Sequence, residues 1–277
     1  MTALFERDGG RFLPTALCAS PWGPVTIHGG ATIGLLAWAL ESQVPDGMLL
    51  ARLTADLFRP VPRAPLEVAA RTVRAGRRLR LLEASLYRDG EEIARASALA
   101  LATAAVVIPE AARIPAGLPP ALAEARSREP VTGVQCIPNR RHRQFPPGLH
   151  TAVPLKPAVW ELGGGRGTTW VRLPVELIAG EPNSPLVRVA TLADFSNGFA
   201  QLYLDSGAGF INADLTLNLH RLPAGEWLGI DALTRAQPNG IAIAEAELYD
   251  EEGLIGRVSQ SNLTMATPAS AGAGLGG

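Results

Sequence analysis

The sequence predicts an α+β protein made of two copies of one unit, each an antiparallel sheet wrapped around a central helix. The main observation is an internal repeat, because residues 51–101 recur at 213–263, shifted by 162 positions without a gap. Sixteen of the 51 aligned pairs are identical, which is hard to obtain by chance over an ungapped run. The period is the size of a domain, so it predicts two similar domains and not a solenoid.

The first unit is predicted to consist of a strand, a helix and then an antiparallel meander. The helix follows Gly29-Gly30 and ends at Pro45-Asp46-Gly47, and its apolar residues have helical spacing. These residues are Ile33, Leu36, Ala37, Leu40 and Val44. Asp89-Gly90 between two strand patterns is typical of a hairpin turn. The predicted strands are 49–58, 66–73, 79–87 and 93–103.

The second unit is predicted to repeat this order. A strand over 187–192 leads into a short helix over 194–204, and a strand pair joined at Gly163-Gly164-Gly165 precedes both. The predicted strands of this unit are 155–162, 168–174, 187–192, 209–219, 227–234, 241–249 and 254–266. The predicted domain organisation is an N-terminal domain at 1–107, a Pro- and Ala-rich linker at 108–147, a C-terminal domain at 148–267 and a flexible tail at 268–277.

Composition and motifs exclude several classes of function. A hydrophobic content of 47% with 18% charged residues is typical of a globular protein, and a net charge of −1 does not suggest a nucleic-acid partner. Cys18 and Cys136 lack the spacing of a metal site and fit a reducing compartment. No secretory signal and no apolar run of about 20 residues are visible, so we expect a cytoplasmic protein without a membrane partner. A Gly-x-Ser-x-Gly motif is absent, which argues against a serine hydrolase.

Four short motifs give the sequence a family resemblance. They are His28-Gly29-Gly30, Leu57-Phe58-Arg59-Pro60, His220-Arg221-Leu222-Pro223 and Val258-Ser259-Gln260. Together with the two helix-and-meander units, they resemble the tandem (double) hotdog proteins of the acyl-CoA thioesterase II type. The resemblance implies that an activated water hydrolyses an acyl-CoA, with no cofactor beyond the coenzyme A of the substrate. It also implies two sheets joined edge to edge with both helices on one side, and we expect a homo-oligomer.

The resemblance implies a catalytic Asp, Thr and Gln in the second unit. Asp194 matches the Asp that opens the second helix, and Gln260 matches the Gln of the last strand. Asn212 stands where the family has Thr, and an Asn side chain can also bind a water. The repeat supports the same residues. The shift of 162 pairs Asp194, Asn212 and Gln260 with Thr32, Leu50 and Ala98, and the fold therefore does not require Asn and Gln where the other copy has Leu and Ala.

Each of these residues has a simpler interpretation. Asp194 could serve only as the N-cap of a helix. Gln260 precedes the polar Ser261 and Asn262 and could face solvent on its strand. Asp214 is predicted to share a strand face with Asn212 and is a weaker candidate for the same role.

The substrate-binding candidates are His28, Gly29, Gly30 and Arg59. Amides at a helix N-terminus can polarise a thioester carbonyl, although Gly29 and Gly30 could instead permit tight packing of the helix into the sheet. His28 could likewise be a structural histidine. The basic cluster Arg140–Arg143 could bind coenzyme A phosphates, or it could be a solvated face of the linker.

Two other functions fit the same fold. A non-hydrolytic acyl-CoA-binding protein would explain why Asn212 departs from the family pattern. An enoyl-CoA hydratase would need an Asp and a His in one loop–helix segment, and no such pair occurs in the sequence around His28 or Asp194.

Overall fold

In the computed structural model of the protein, the described residues are 3–133, 147–161, 163–205 and 209–265. The predicted basic cluster Arg140–Arg143 and the predicted tail at 268–277 lie outside these ranges. Among the helices of the described residues, none has the length and apolarity needed to cross a membrane.

The first half contains the predicted helix and the predicted meander. Helix α1 begins after His28, whose Nδ1 accepts the Gly30 N–H at 3.0 Å, and it ends before the Pro45 turn. Asp89 and Gly90 have φ angles of 50° and 80°, which are the positive values of a type I′ hairpin turn. The elements are β1 Ala3–Asp8, β2 Arg11–Pro14, β3 Ala19–Ser20, β4 Gly23–Ile27, α1 Gly29–Glu41, β5 Met48–Asp56, β6 Glu67–Ala75, β7 Leu79–Arg88 and β8 Glu91–Ala102.

The second half corrects three local predictions. Residues 187–192 lie in a helix and not in a strand, the predicted helix 194–204 shortens to five residues, and the predicted strand 209–219 is interrupted at Ala213. The elements from the linker onward are α2 Pro120–Ala125, β9 Val131–Thr132, α3 Leu149–Ala152, β10 Pro154–Glu161, β11 Arg166–Arg172, β12 Glu176–Ile178, α4 Pro185–Ala193, α5 Phe195–Phe199, β13 Phe210–Asn212, β14 Asp214–Leu219, β15 Trp227–Ala236, β16 Ile241–Asp250 and β17 Gly253–Thr264.

Helix α4 was mistaken for a strand because its β-branched residues favour a strand. Its start signals decide otherwise: Ser184 Oγ accepts the Val187 N–H at 3.1 Å, and Pro185 occupies the first helical position. Seven of its nine residues are buried, and only Pro185 and Arg188 are partly exposed, so the polar face that would mark a helix is narrow.

The two meanders join into one sheet, as predicted. Within the described residues, twelve strands form this sheet, and β5 pairs with β14 at the junction. Thr54 pairs with Thr216, and their hydroxyl oxygens are 3.2 Å apart. These residues are related by the repeat, so a pseudo-twofold axis passes between them. The register break after Leu86 recurs after Leu248, which shows that the repeat extends to irregularities of the sheet.

The central helices lie on the same side of this sheet and pack against each other, which confirms the second part of the prediction. Gly30 and Gly34 of α1 face Thr191 of α4, and a Cβ on either glycine would collide with that threonine. Gly30 and Gly34 therefore permit close packing of helix on helix, whereas the alternative predicted for Gly29 and Gly30 was packing of the helix into the sheet.

Other segments also connect the two halves. Strand β1 pairs in parallel with β12, which places this strand of the first half against the second half. In the segment predicted as a linker, α2 buries Leu122 against Trp170, whose indole N–H donates to the Leu122 carbonyl at 2.8 Å. Strand β9 pairs with β10. Residues 120–132 therefore pack as part of the second half.

Candidate active site

A cavity of about 560 Å³ lies between the two halves. The first half contributes residues 20–22, the start of α1 and residues 57–61 after β5. The second half contributes Asp194, residues of α5 and residues of β13. Because both halves form its walls, the cavity depends on their packing.

Asp194 lies at the junction of α4 and α5 and is 7% exposed at the cavity wall. It occupies the N-cap position of α5, yet its side chain makes no capping hydrogen bond. Instead, Asn212 Nδ2 donates to Asp194 Oδ1 at 2.9 Å, and His28 Nδ1 lies 3.1 Å from Asp194 Oδ2. The carboxylate is therefore directed at polar partners on other elements, which argues against the interpretation of Asp194 as a simple cap.

Gly29 lets α1 approach this carboxylate. A Cβ on Gly29 would lie 2.8 and 2.9 Å from the two oxygens of Asp194, so any larger residue would displace the carboxylate. Gly29 is also the first residue of α1, where the helix dipole favours negative charge. The start of the first-half helix thus lies directly against the Asp194 carboxylate, the candidate catalytic group of the second half.

His28 lies between the start of α1 and the Asp194 carboxylate. Its Nδ1 lies 3.0 Å from the Gly30 nitrogen and 3.1 Å from Asp194 Oδ2. Because this nitrogen accepts the Gly30 N–H, it does not donate to Asp194, and the two side chains are in contact without a hydrogen bond between these atoms. The sequence showed no Asp–His pair within one segment, and the structure forms such a pair from two halves.

Asn212 is held by the bond to Asp194, which also fixes which end of its amide is nitrogen. Asp214, the weaker candidate, lies elsewhere: its Oδ1 accepts the backbone N–H of Ser261, and it is absent from the cavity wall. The two residues do not share a strand face as predicted, because the regular strand is interrupted at Ala213, between β13 and β14.

Gln260 is fully buried on β17, so it does not face solvent. It lies outside the cavity wall, and neither end of its amide has a hydrogen-bond partner among the described residues. The structure therefore brings Asp194 and Asn212 together and leaves Gln260 without a hydrogen bond to either of them.

Three buried polar residues near this site were not selected from the sequence. Asn197 and Gln201 line the cavity and donate to the Phe210 carbonyl at 3.4 and 3.1 Å, and Asn262 Nδ2 donates to Asn197 Oδ1 at 2.9 Å. Two spacings could have indicated them: Asn197 is three residues after Asp194 on a helix, and Asn262 is two residues after Gln260 on a strand.

Arg59 lies at the cavity wall, as a substrate-binding residue would, and it is largely exposed. Its guanidinium is 2.8 Å from Glu91, which is equally exposed. Trp22 and Phe58 of the same wall are also partly exposed. The first half therefore provides an aromatic and cationic surface beside the buried carboxylate.

The chain is similar to known proteins in both halves. The family description "Acyl-CoA thioesterase N-terminal domain" matches residues 18–101, and "Acyl-CoA thioesterase C-terminal domain" matches residues 115–264. No curated protein matches the sequence significantly.

Solved structures with similar folds include three bacterial proteins. Acyl-CoA thioesterase II TesB2 from Mycobacterium marinum is 15% identical with a TM-score of 0.63, and each chain is 96% covered. A tesB protein from Mycobacterium avium subspecies paratuberculosis is 17% identical with a TM-score of 0.62, covering 95% of this chain and 96% of that one. A protein of unknown function with a hot dog fold from Alicyclobacillus acidocaldarius is 17% identical with a TM-score of 0.66 and the same coverage. These likenesses confirm the predicted tandem hotdog fold.

Proposed function

The chain belongs to the acyl-CoA thioesterase family, and from this premise we propose that it hydrolyses an acyl-CoA thioester to a free acid and coenzyme A. The observation that carries the proposal is the buried Asp194 carboxylate at the wall of a cavity between the two halves. Its partners Asn212, His28 and Gly29 fix its position without using it as a helix cap.

In the proposed reaction, Asp194 acts as general base toward a water molecule. The water oxygen bonds to the thioester carbonyl carbon while its proton passes to the carboxylate. The carbon–sulfur bond then breaks, and the proton goes to the departing sulfur, which leaves as the thiol of coenzyme A. The first turn of α1 at Gly29 lies where developing negative charge on the carbonyl oxygen would be stabilised.

Arg59, Trp22 and Phe58 are the proposed contacts for the coenzyme A portion. Phosphate groups favour an exposed guanidinium, and aromatic faces favour a stacked base. The acyl portion would occupy the interior of the cavity, where Leu155, Phe195 and Phe199 supply apolar walls. A metal or redox cofactor has no role in this proposal.

The test is release of free thiol from a panel of acyl-CoAs, followed with a thiol reagent. We expect stoichiometric release with at least one acyl group. Tight binding in a calorimeter without release would instead support the non-hydrolytic acyl-CoA-binding function, in which Asn212 replaces the family Thr at the cost of catalysis.

The His28–Asp194 pair at 3.1 Å favours one second candidate, hydration of an enoyl-CoA. In that reaction water adds its oxygen to C3 and a proton to C2, and the thioester stays intact. An enoyl-CoA in the same panel distinguishes the two reactions, because hydration removes the conjugated absorbance without releasing thiol.

A further inference from the structure

A row of five rings lines the cavity, and its second ring contacts the Asp194 carboxylate. His28, which contacts that carboxylate, stacks on Phe195 with ring centroids 4.8 Å apart and on His150 at 6.0 Å. Phe195 is 5.7 Å from Phe199. Phe199 meets Trp160 edge to face at 5.8 Å and 84°.

The chain concentrates its few aromatic residues at this cavity. Phe, Trp and Tyr make up 5% of the sequence, yet six of them belong to the cavity wall. These are Trp22, Phe58, Trp160, Phe195, Phe199 and Tyr203. Elsewhere the core is built mainly from Ala, Leu, Ile and Val, so apolarity alone could have been supplied without rings.

A saturated acyl chain gains only the burial of apolar area from a cavity wall, whether that wall is aromatic or aliphatic. The two kinds of wall differ for an aromatic group, because edge-to-face and offset ring pairs contribute roughly 0.5–1.5 kcal/mol beyond area burial. An apolar cavity of about 150 Å³ suffices to bind benzene, so a cavity of about 560 Å³ has room for a ring and part of the pantetheine arm.

We propose that the acyl group of the substrate is aromatic, of the arylacetyl type, with its ring held against Phe195 and Phe199. This inference rests on the proposed thioesterase function and specifies its substrate class. The direction of the row supports it: a thioester carbonyl near Asp194 would place the adjoining acyl group along Phe195 and Phe199.

The test compares phenylacetyl-CoA with cyclohexylacetyl-CoA, which has the same carbon skeleton without the aromatic system, and with straight-chain octanoyl-CoA. We expect kcat/KM to be about tenfold higher for phenylacetyl-CoA than for cyclohexylacetyl-CoA, a ratio equivalent to about 1.4 kcal/mol. Phe199→Leu should reduce this ratio to near one. Phe12→Leu is the matched control, because it removes a ring that packs on Trp38 away from the cavity, and it should leave the ratio unchanged.

The outcomes separate this inference from the proposed function. Hydrolysis of all three substrates without an aromatic preference would overturn the inference and leave the thioesterase function intact. If no thioester is hydrolysed, the function fails, and calorimetric Kd values for the same pair still decide the inference. Tighter binding of phenylacetyl-CoA, lost in Phe199→Leu, would support an aromatic site, and equal Kd values would overturn it.

Discussion

In the first half, helix α1 runs unbroken from Gly29 to Glu41, whereas in the second half the central helix is divided at Asp194 into α4 and α5. Helix α4 also begins six residues earlier than a shift of 162 would place it. Although the shift of 162 pairs Thr32 with Asp194, the two residues therefore do not occupy the same position relative to the start of their helices. The helices have diverged in length and shape, and the candidate carboxylate lies where the second helix is divided.

The sheets have not diverged in this way. The pairs Ala70–Ala84 and Ala232–Ala246 have the same register, as do Glu83–Ser97 and Glu245–Ser259. The register shift between Thr72 and Arg74 has no counterpart in the pair β15–β16. Side chains also differ: Leu50, Ala98 and Ala100 are buried and apolar, while the positions paired with them hold Asn212, Gln260 and Asn262. The fold accepts apolar residues at these positions, so folding alone does not explain the polar ones.

The repeat also gives one pair of arginines two roles. Arg221 donates two hydrogen bonds to Asp250, whose side chain is fully buried, and the Ala224 N–H donates to the same carboxylate at 2.7 Å. Burial opposes ionisation of Asp250, but Arg221 and the backbone donors hold its pKa below the ordinary value. Within the part of the chain that the structure describes, the ion-pair partner of Arg59 is the exposed Glu91. The second-half arginine stabilises structure, and the first-half arginine is available to a ligand.

The largest effect is expected from Asp194→Asn. Loss of the general base should lower kcat by roughly 100-fold or more with the fold retained. Steady-state kinetics on the best acyl-CoA and a thermal melt measure both quantities. Asp214→Asn is the matched control, because Asp214 bonds only a backbone N–H outside the cavity wall and should keep near wild-type turnover. Undiminished activity per folded molecule in Asp194→Asn would make this carboxylate structural.

Asn212→Leu copies the first-half residue into the second half and should have the next largest effect. Asp194 would lose the donor to Oδ1, and a hydrogen bond to a charged group contributes roughly 1.5–3 kcal/mol. We expect kcat to fall by roughly 10- to 100-fold if that bond serves the transition state. Asn212→Thr, which restores the family residue, should retain most turnover. Equal turnover in the Leu and wild-type proteins would remove Asn212 from the site.

Gln260→Met should separate activity from stability. A buried amide without partners costs about 1–3 kcal/mol, so an apolar residue of similar length should raise Tm by a few degrees. If Gln260 serves the reaction, kcat should fall about tenfold while the substrate Kd changes less. A higher Tm with unchanged kcat would place Gln260 outside the chemistry.

The smallest catalytic effect is expected from Arg59→Ala, which should raise KM several-fold for an acyl-CoA. It should leave KM unchanged for the same acyl group on a short thiol that lacks phosphates, since the lost contact is to phosphate.

Arg221→Ala should instead destabilise the fold by roughly 2–3 kcal/mol, less than for a fully buried pair because Arg221 is 35% exposed. Denaturant unfolding and steady-state kinetics of both variants test whether Arg59 serves binding and Arg221 serves stability. A KM effect in Arg221→Ala would contradict this division of roles.

The sequence by itself determined the repeated unit, the meander strands, α1 and the family. Regular strand patterns, the Asp89-Gly90 turn and short motifs are local signals, and an ungapped repeat needs no contact information. The family resemblance indicated Asp194, and Asn212 was indicated in addition because the other copy of the fold holds the apolar Leu50 at the paired position.

Only the tertiary structure decided the rest. Local propensity favours a strand at 187–192, but packing of this segment against α1 stabilises a helix there. The contacts of Asp194 with His28 and Gly29 join residues more than 160 positions apart in sequence, and no local pattern encodes such a distance. The ring row likewise combines residues of both halves, because a cavity formed by packing two domains exists only after they pack.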